Sequence, residues 1–253
     1  MKTSKTGTKE WADKNINIVN GCSNDCLYCY AKAIAIRHKR KTADSWKEEQ
    51  LKASTLEKNF RKTDKKIMFP SSHDISEQYL DETLIILEKL LSVGNEVLIV
   101  TKPRSVVIKR LCADLDKYRN QIEFRFTIGS ADNKVLQLWE PGAPLFEERL
   151  EALKYAYNKG FSTSVSCEPM LDRNIINVVN AVEAFVTNTI WIGKMNRLNQ
   201  NISHSKISDE TIHEAAGELL SWQNDDKNML ALIQTLDSDP KIRWKDSMHK
   251  YLH

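Results

Sequence analysis

From Asn15 to Gly193 the chain repeats one unit about six times: a short β-like run followed by a longer stretch with apolar residues three and four apart. The β-like runs are NINIV (15–19), KIMF (66–69), EVLIV (96–100), IEFRFTI (122–128), STSVS (162–166) and TIWIG (189–193). Between them lie amphipathic stretches such as ISEQYLDETLIILEKLLSVG, stopped by Gly94, and FEERLEALKYAYNKG, closed by Gly160. A charged, helix-prone stretch runs roughly from Ser45 to Phe60. Strand–helix alternation of this kind predicts parallel strands joined by right-handed crossovers, as an open doubly wound sheet or a barrel-like one. In either form the residues just after each strand converge on one face, where such folds keep their sites.

Beyond Asn196 the pattern changes to two amphipathic stretches, about Ser208 to Trp222 and Asp226 to Leu236. The chain therefore divides, as an expectation, into a core over 1–196 and a helical extension over 197–253 packed on it. With 37 basic and 34 acidic residues the net charge of +3 does not announce a nucleic-acid binder, though it leaves room for a local basic patch. The opening MKTSKTGTKEWADKN has no apolar core of a signal peptide, and no apolar run approaches a membrane span. These features predict a cytoplasmic protein with no membrane contact, where thiols stay reduced and cysteine clusters bind metal or do chemistry.

GCSNDCLYCYA, Gly21 to Ala31, places Cys22, Cys26 and Cys29 in one loop directly after the first β-like run. A structural zinc site takes four protein ligands, and His38, nine residues past Cys29, is not at a finger spacing. Cys112 and Cys167 stand alone among apolar neighbours and read as core residues. A [4Fe–4S] cubane takes four cysteines, so three leave one iron open to a small molecule.

C-x3-C-x2-C with an aromatic before the third cysteine, set after the first strand of a (β/α)6 pattern, resembles the radical S-adenosylmethionine (SAM) superfamily. EPGAPLFEERLEALKYAYNKG, SVSCEPMLD and VTKPR are similar to its spore photoproduct lyase-like and phage-associated branch. The resemblance implies a partial (β/α)6 TIM-like barrel, an α/β fold with a C-terminal helical extension. It implies an enzyme in which Cys22, Cys26 and Cys29 hold a [4Fe–4S] cluster whose open iron binds SAM. A low-potential donor of the flavodoxin or ferredoxin type supplies one electron, and SAM is cleaved to methionine and a 5′-deoxyadenosyl radical that abstracts hydrogen from a substrate. Tyr28 would pack near the adenine.

Strand ends supply the other candidates. Ser71 and Ser72 stand where many members have a glycine-rich segment that meets the SAM amino group, and this chain has no glycine there. Ser130 and Asp132 follow the fourth strand, in the region where members bind the ribose or carboxylate. Lys102, Glu168, Lys194 and Asn196 would point at one mouth, with the carboxylate between two lysines orienting SAM or a polar substrate, or forming a buried ion pair. Cys167, next to Glu168, is a candidate hydrogen-atom donor or a core thiol. Ser71, Ser72 and Asp132 also suit turns and caps, and His73 a hydrogen-bonded loop position. The one dense basic run, Arg37–Lys41, is a solvated helix end or a phosphate-contacting patch. The substrate is unidentified; a nucleotide or nucleic acid would fit such a patch. The second reading is a non-catalytic Fe–S or zinc module that binds nucleic acid.

Overall fold

A computed structural model describes residues 7–252. The strands are β1 (Lys14–Asn15), β2 (Val19–Asn20), β3 (Gln50–Leu51), β4 (Ile67–Phe69), β5 (Val97–Thr101), β6 (Ile122–Thr127), β7 (Ser162–Cys167), β8 (Ile190–Ile192) and β9 (Ile242–Trp244). The helices are α1 (Tyr30–Arg37), α2 (Ala53–Leu56), α3 (Leu80–Ser92), α4 (Ser105–Asp114), α5 (Asn133–Trp139), α6 (Phe146–Asn158), α7 (Ile175–Val182), α8 (Leu198–His204), α9 (Glu210–Asn224) and α10 (Asp226–Leu236).

Seven strands form one parallel sheet in the order β1-β4-β5-β6-β7-β8-β9. Spatial order follows chain order without the reversal that defines a doubly wound sheet, so the sheet winds in one direction as a barrel does. β1 and β9 are its two edges and do not pair, which leaves the barrel partial. Along β6 the side chains alternate in role: Ile122, Phe124 and Phe126 join the apolar core, while Glu123 and Arg125 pair with each other at 2.8 Å. Helix α3 buries Leu80, Thr83, Ile86, Leu87, Leu90 and Leu91, one face at helical spacing, in keeping with the pattern read from its sequence.

Two local readings differ. The expected strand over 15–19 is split, because Asn17 bonds the Ser71 and Ser72 amides and His73 Nε2 accepts from Ile18 and Val19, drawing the chain off the sheet. Val19 and Asn20 then pair antiparallel with Leu51 and Gln50. The stretch Ser45–Phe60 is accordingly no single helix but a 3₁₀ turn, β3 and the short α2. The C-terminal segment carries α9 and α10 close to where they were read, and adds α8 and the strand β9. No helix of the described residues is long and apolar enough to cross a membrane.

Candidate active site

The cysteine loop leaves β2 through Gly21, whose φ is +103°. A Cβ there would stand 2.5 Å from the Glu48 carbonyl oxygen, so glycine is required on two counts. The Cys22 amide donates to Trp46 O at 3.0 Å, and the Cys29 amide to Cys26 O at 3.2 Å. Asp25, itself at φ +46°, binds Lys32 Nζ at 2.6 Å and fixes the bend between the first two cysteines. Cys29 is the N-cap of α1, its Sγ accepting from the Lys32 amide at 3.4 Å. All three cysteines are unpaired and line one cavity of about 570 Å³. That is within the roughly 300–1,000 Å³ range of small-molecule sites.

A second loop clamps the first. The Leu27 amide donates to Trp139 O at 2.9 Å and the Gly142 amide to Asn24 O at 3.0 Å. Arg104 reaches Gly142 O at 2.6 Å and Asn24 Oδ1 at 3.0 Å. A Cβ at Gly142 would lie 2.2 Å from the Ser23 carbonyl oxygen, which explains the glycine of EPGAP by close approach. Glu140 opens this loop and is fully enclosed; it accepts from the Tyr28 hydroxyl and pairs with Arg149 at 2.5 Å and Lys102 at 3.7 Å. Arg149, also fully enclosed, donates onward to Pro144 O and Thr127 O. Asp74 is a second, half-buried hub, accepting from Asn24 Nδ2 at 2.7 Å, the Lys102 amide at 3.0 Å and the Thr101 hydroxyl. Neither Glu140 nor Arg149 was singled out in the sequence; the EPGAP and arginine spacing was the available signal.

Of the residues read from strand ends, Tyr28, Ser71, Ser72, Lys102, Glu168, Lys194 and Asn196 line the cavity with the cysteines. Ser130, Asp132 and Cys167 do not. Ser130 is fully buried, donating to Asp172 and accepting from the Asp132 amide at 2.9 Å. Asp132 caps α5 through the Lys134 amide at 2.8 Å. Cys167 lies in the apolar core. The Ser71 and Ser72 amides are taken by Asn17 Oδ1 at 2.8 and 2.9 Å, and the Ser71 carbonyl by the Tyr30 hydroxyl. Glu168 does not sit between two lysines of the mouth: its cation is Lys245 at 3.4 Å, a residue 77 positions on that no sequence pattern marked. His73 bridges backbone groups, and burial lowers its pKa to about 4, so it is a neutral structural acceptor.

Charge around the thiols is organised by burial. Burial, with Asp74 beside it, pushes the Cys22 thiol well up; burial raises Cys29 and takes Cys26 to about 12. Three thiolates in such a place require a cationic metal centre to hold them. Burial would neutralise Lys102, but Cys26, Tyr28 and Glu140 keep it charged. Burial opposes ionisation of Glu140 too, and Arg149 and Lys102 overcome it. No three His, Cys, Asp or Glu side chains among the described residues converge on a point for a single metal ion.

The pattern that defines the radical SAM superfamily matches residues 16–181. "Uncharacterized protein ORF301" of Acidianus two-tailed virus is 30% identical over 179 residues, covering 65% of this chain and 57% of the viral protein. Spore photoproduct lyase complexed with dinucleoside spore photoproduct superposes with a TM-score of 0.58 at 16% identity, over 83% of this chain and 65% of that one. A mutant of spore photoproduct lyase with bound AdoMet and dinucleoside spore photoproduct gives 0.60 at 17% identity, over 95% and 78%. At these identities the likeness to the solved structures is one of fold.

Proposed function

Because the chain belongs to the radical SAM superfamily, whose cofactors are a [4Fe–4S] cluster and SAM, we propose that it is an enzyme holding that cluster on Cys22, Cys26 and Cys29. The observation that carries this is three unpaired thiols lining one cavity, while the other two cysteines of the chain do not line it. Bound there, the cluster and SAM supply one-electron cleavage of the sulfonium and a 5′-deoxyadenosyl radical that takes hydrogen from substrate.

The chain's own residues hold and shield that chemistry. Lys102, kept charged, offsets the negative charge of the thiolates, and Glu140 fixes it and Tyr28 in one orientation. Ser71, Ser72, Lys194 and Asn196, which line the same cavity, offer polar contacts to SAM or substrate. Glu168, on the wall of the cavity, is able to hold or release a proton near neutral pH. Cys167, off the cavity and in the core, takes no part.

Lys9 and Arg197 line the cavity without a carboxylate partner among the described residues, and the Lys194 ammonium hydrogen-bonds to the neutral oxygens of Asn224 and Tyr251. This favours an anionic substrate, and the dinucleosides bound by the structural neighbours favour a nucleotide or nucleic acid within that class. Reduction falls to a low-potential protein of the flavodoxin or ferredoxin type. The chain spans 57% of its viral relative, so this reading concerns the chain itself.

The test is electron paramagnetic resonance of the anaerobically reconstituted, dithionite-reduced protein. The reading predicts a [4Fe–4S] signal that changes shape on adding SAM and is lost in Cys22→Ala, Cys26→Ala and Cys29→Ala. A signal indifferent to SAM, or a chain that takes zinc instead, supports the non-catalytic module.

A further inference from the structure

Helices α1 and α8 pack against each other, and both end in the same way. After α1 the amides of Lys39 and Arg40 donate back to Ile36 O and Ala35 O, both at 2.9 Å, with Lys39 at φ +54°. After α8 the amides of Lys206 and Ile207 donate to Ser203 O at 3.0 Å and Ile202 O at 3.2 Å, with Lys206 at φ +57°. This closing turn normally places glycine in the left-handed position. Here both turns place a lysine there. Cations favour a helix C-terminus through the dipole, but a lysine one position earlier would give that without left-handed backbone. Both positions thus carry a cation where glycine is the usual residue, and they lie close together.

Both lysines line one surface recess of about 380 Å³, together with Arg40, Lys41 and the apolar Ile36 and Ala43. No carboxylate among the described residues pairs with Lys39, Arg40 or Lys206. The recess is held firm: Lys41 Nζ donates to Glu48 O at 2.9 Å, and Thr42 and Ser45 exchange hydrogen bonds at 3.0 and 3.1 Å.

Its position relative to the cysteines is informative. The recess shares no residue with the main cavity, though Ser45 of the recess directly precedes Trp46 of the cavity lining. Trp46 lies between them: it follows Ser45 of the recess, lines the cavity, and packs its buried indole with Cys22, Ala31 and Ala35. Its carbonyl is the acceptor of the Cys22 amide. Helix α1, eight residues or about 12 Å long, spans the same gap from Cys29 to the basic end.

We propose that this recess is the docking surface for an acidic low-potential one-electron donor protein, of the flavodoxin or ferredoxin type, delivering its electron past Trp46 to the cluster. The proposal rests on the radical SAM reading. The donor loses one electron and the cluster gains it; no bond forms or breaks and no proton moves at the surface. Encounters of this kind bury little area and are steered by opposite charge. The apolar floor suits a protein surface, and the recess offers no aromatic ring on which a base could stack.

The test is titration calorimetry of a purified flavodoxin into the reconstituted protein, for the parent and for the double variant Lys39→Gly/Lys206→Gly. Glycine suits both backbone positions, so the variant keeps its fold. The expected result is a parent Kd that weakens with added salt and a Kd about tenfold weaker in the variant, a typical scale for two lost rim charges. SAM cleavage driven by dithionite, which needs no docking, is unchanged. Equal flavodoxin affinity in parent and variant overturns the proposal, as does no flavodoxin binding by the parent. So does a variant that loses affinity for a single-stranded oligonucleotide and keeps it for flavodoxin, which makes the patch a nucleic-acid contact. No SAM cleavage by the parent with dithionite instead overturns the radical SAM reading itself.

Discussion

Glu168 stands at the C-terminal end of β7, nearly enclosed, with Lys245 3.4 Å away. Burial raises its pKa from 4.5 to about 7, and Lys245 only partly opposes this. The folded protein therefore holds a proton on Glu168 at pH values where the unfolded chain has lost it. Folding is favoured by this group below pH 4.5, and that contribution is lost as pH rises through about 7. His73 acts in the opposite sense: its pKa is lowered from 6.5 to about 4, so its contribution is present above 6.5 and lost as pH falls. Glu168→Gln should remove the first slope alone, leaving the variant less stable than the parent at pH 5 relative to pH 8 by on the order of 3 kcal/mol. Urea unfolding at the two pH values checks this; parallel pH profiles would mean that Glu168 titrates normally. Glu168 was legible in the sequence as a carboxylate at a strand end, but its cation was not. Lys245 lies beyond a change of pattern, on a segment whose approach to the site is set only by tertiary pairing.

At the scale of elements, three parts are fastened through one carboxylate. Glu140, after α5, holds Tyr28 of the cysteine loop, Lys102 at the end of β5 and Arg149 of α6. Replacing it by Gln leaves Arg149 enclosed without its counter-charge, and breaking a buried pair in this way costs about 3–5 kcal/mol. Glu140→Gln should therefore lower the urea midpoint by that equivalent and weaken iron retention together; a midpoint within about 1 kcal/mol of the parent would show the pairing to be solvated. Strands β5, β6 and β7 were readable because their β-branched and aromatic runs are bounded by turns or helical spacing. The first strand was misread because its alternation is genuine, yet His73 Nε2 takes the amides of Ile18 and Val19, while the run's own Asn17 side chain accepts from Ser71 and Ser72. Nothing local in Gln50–Leu51 distinguishes a strand from the charged helix-like stretch around it.

On the scale of the molecule, the parallel sheet gathers the ends of β4, β5, β6, β7 and β8 around one cavity with the cysteine loop, and strand order alone decided between barrel and doubly wound forms. The expected boundary at 196/197 falls just after β8, yet β9 joins the same sheet from beyond it, Trp244 opposite Ile192. A three-residue strand preceded by a turn, with no room for alternation, left no mark in the sequence. Gln223 likewise ties the extension to the core, donating to Met170 O at 3.0 Å and accepting from the Met195 amide at 2.8 Å. The cysteine loop needed none of this to be recognised, since its chemistry is written in one stretch of chain. The most direct measurement is 5′-deoxyadenosine by mass spectrometry after the anaerobically reconstituted protein meets SAM and dithionite. The account predicts that it forms with the parent chain and is absent with Cys26→Ala. A parent chain with its iron and sulfide fully restored that leaves SAM intact would contradict it.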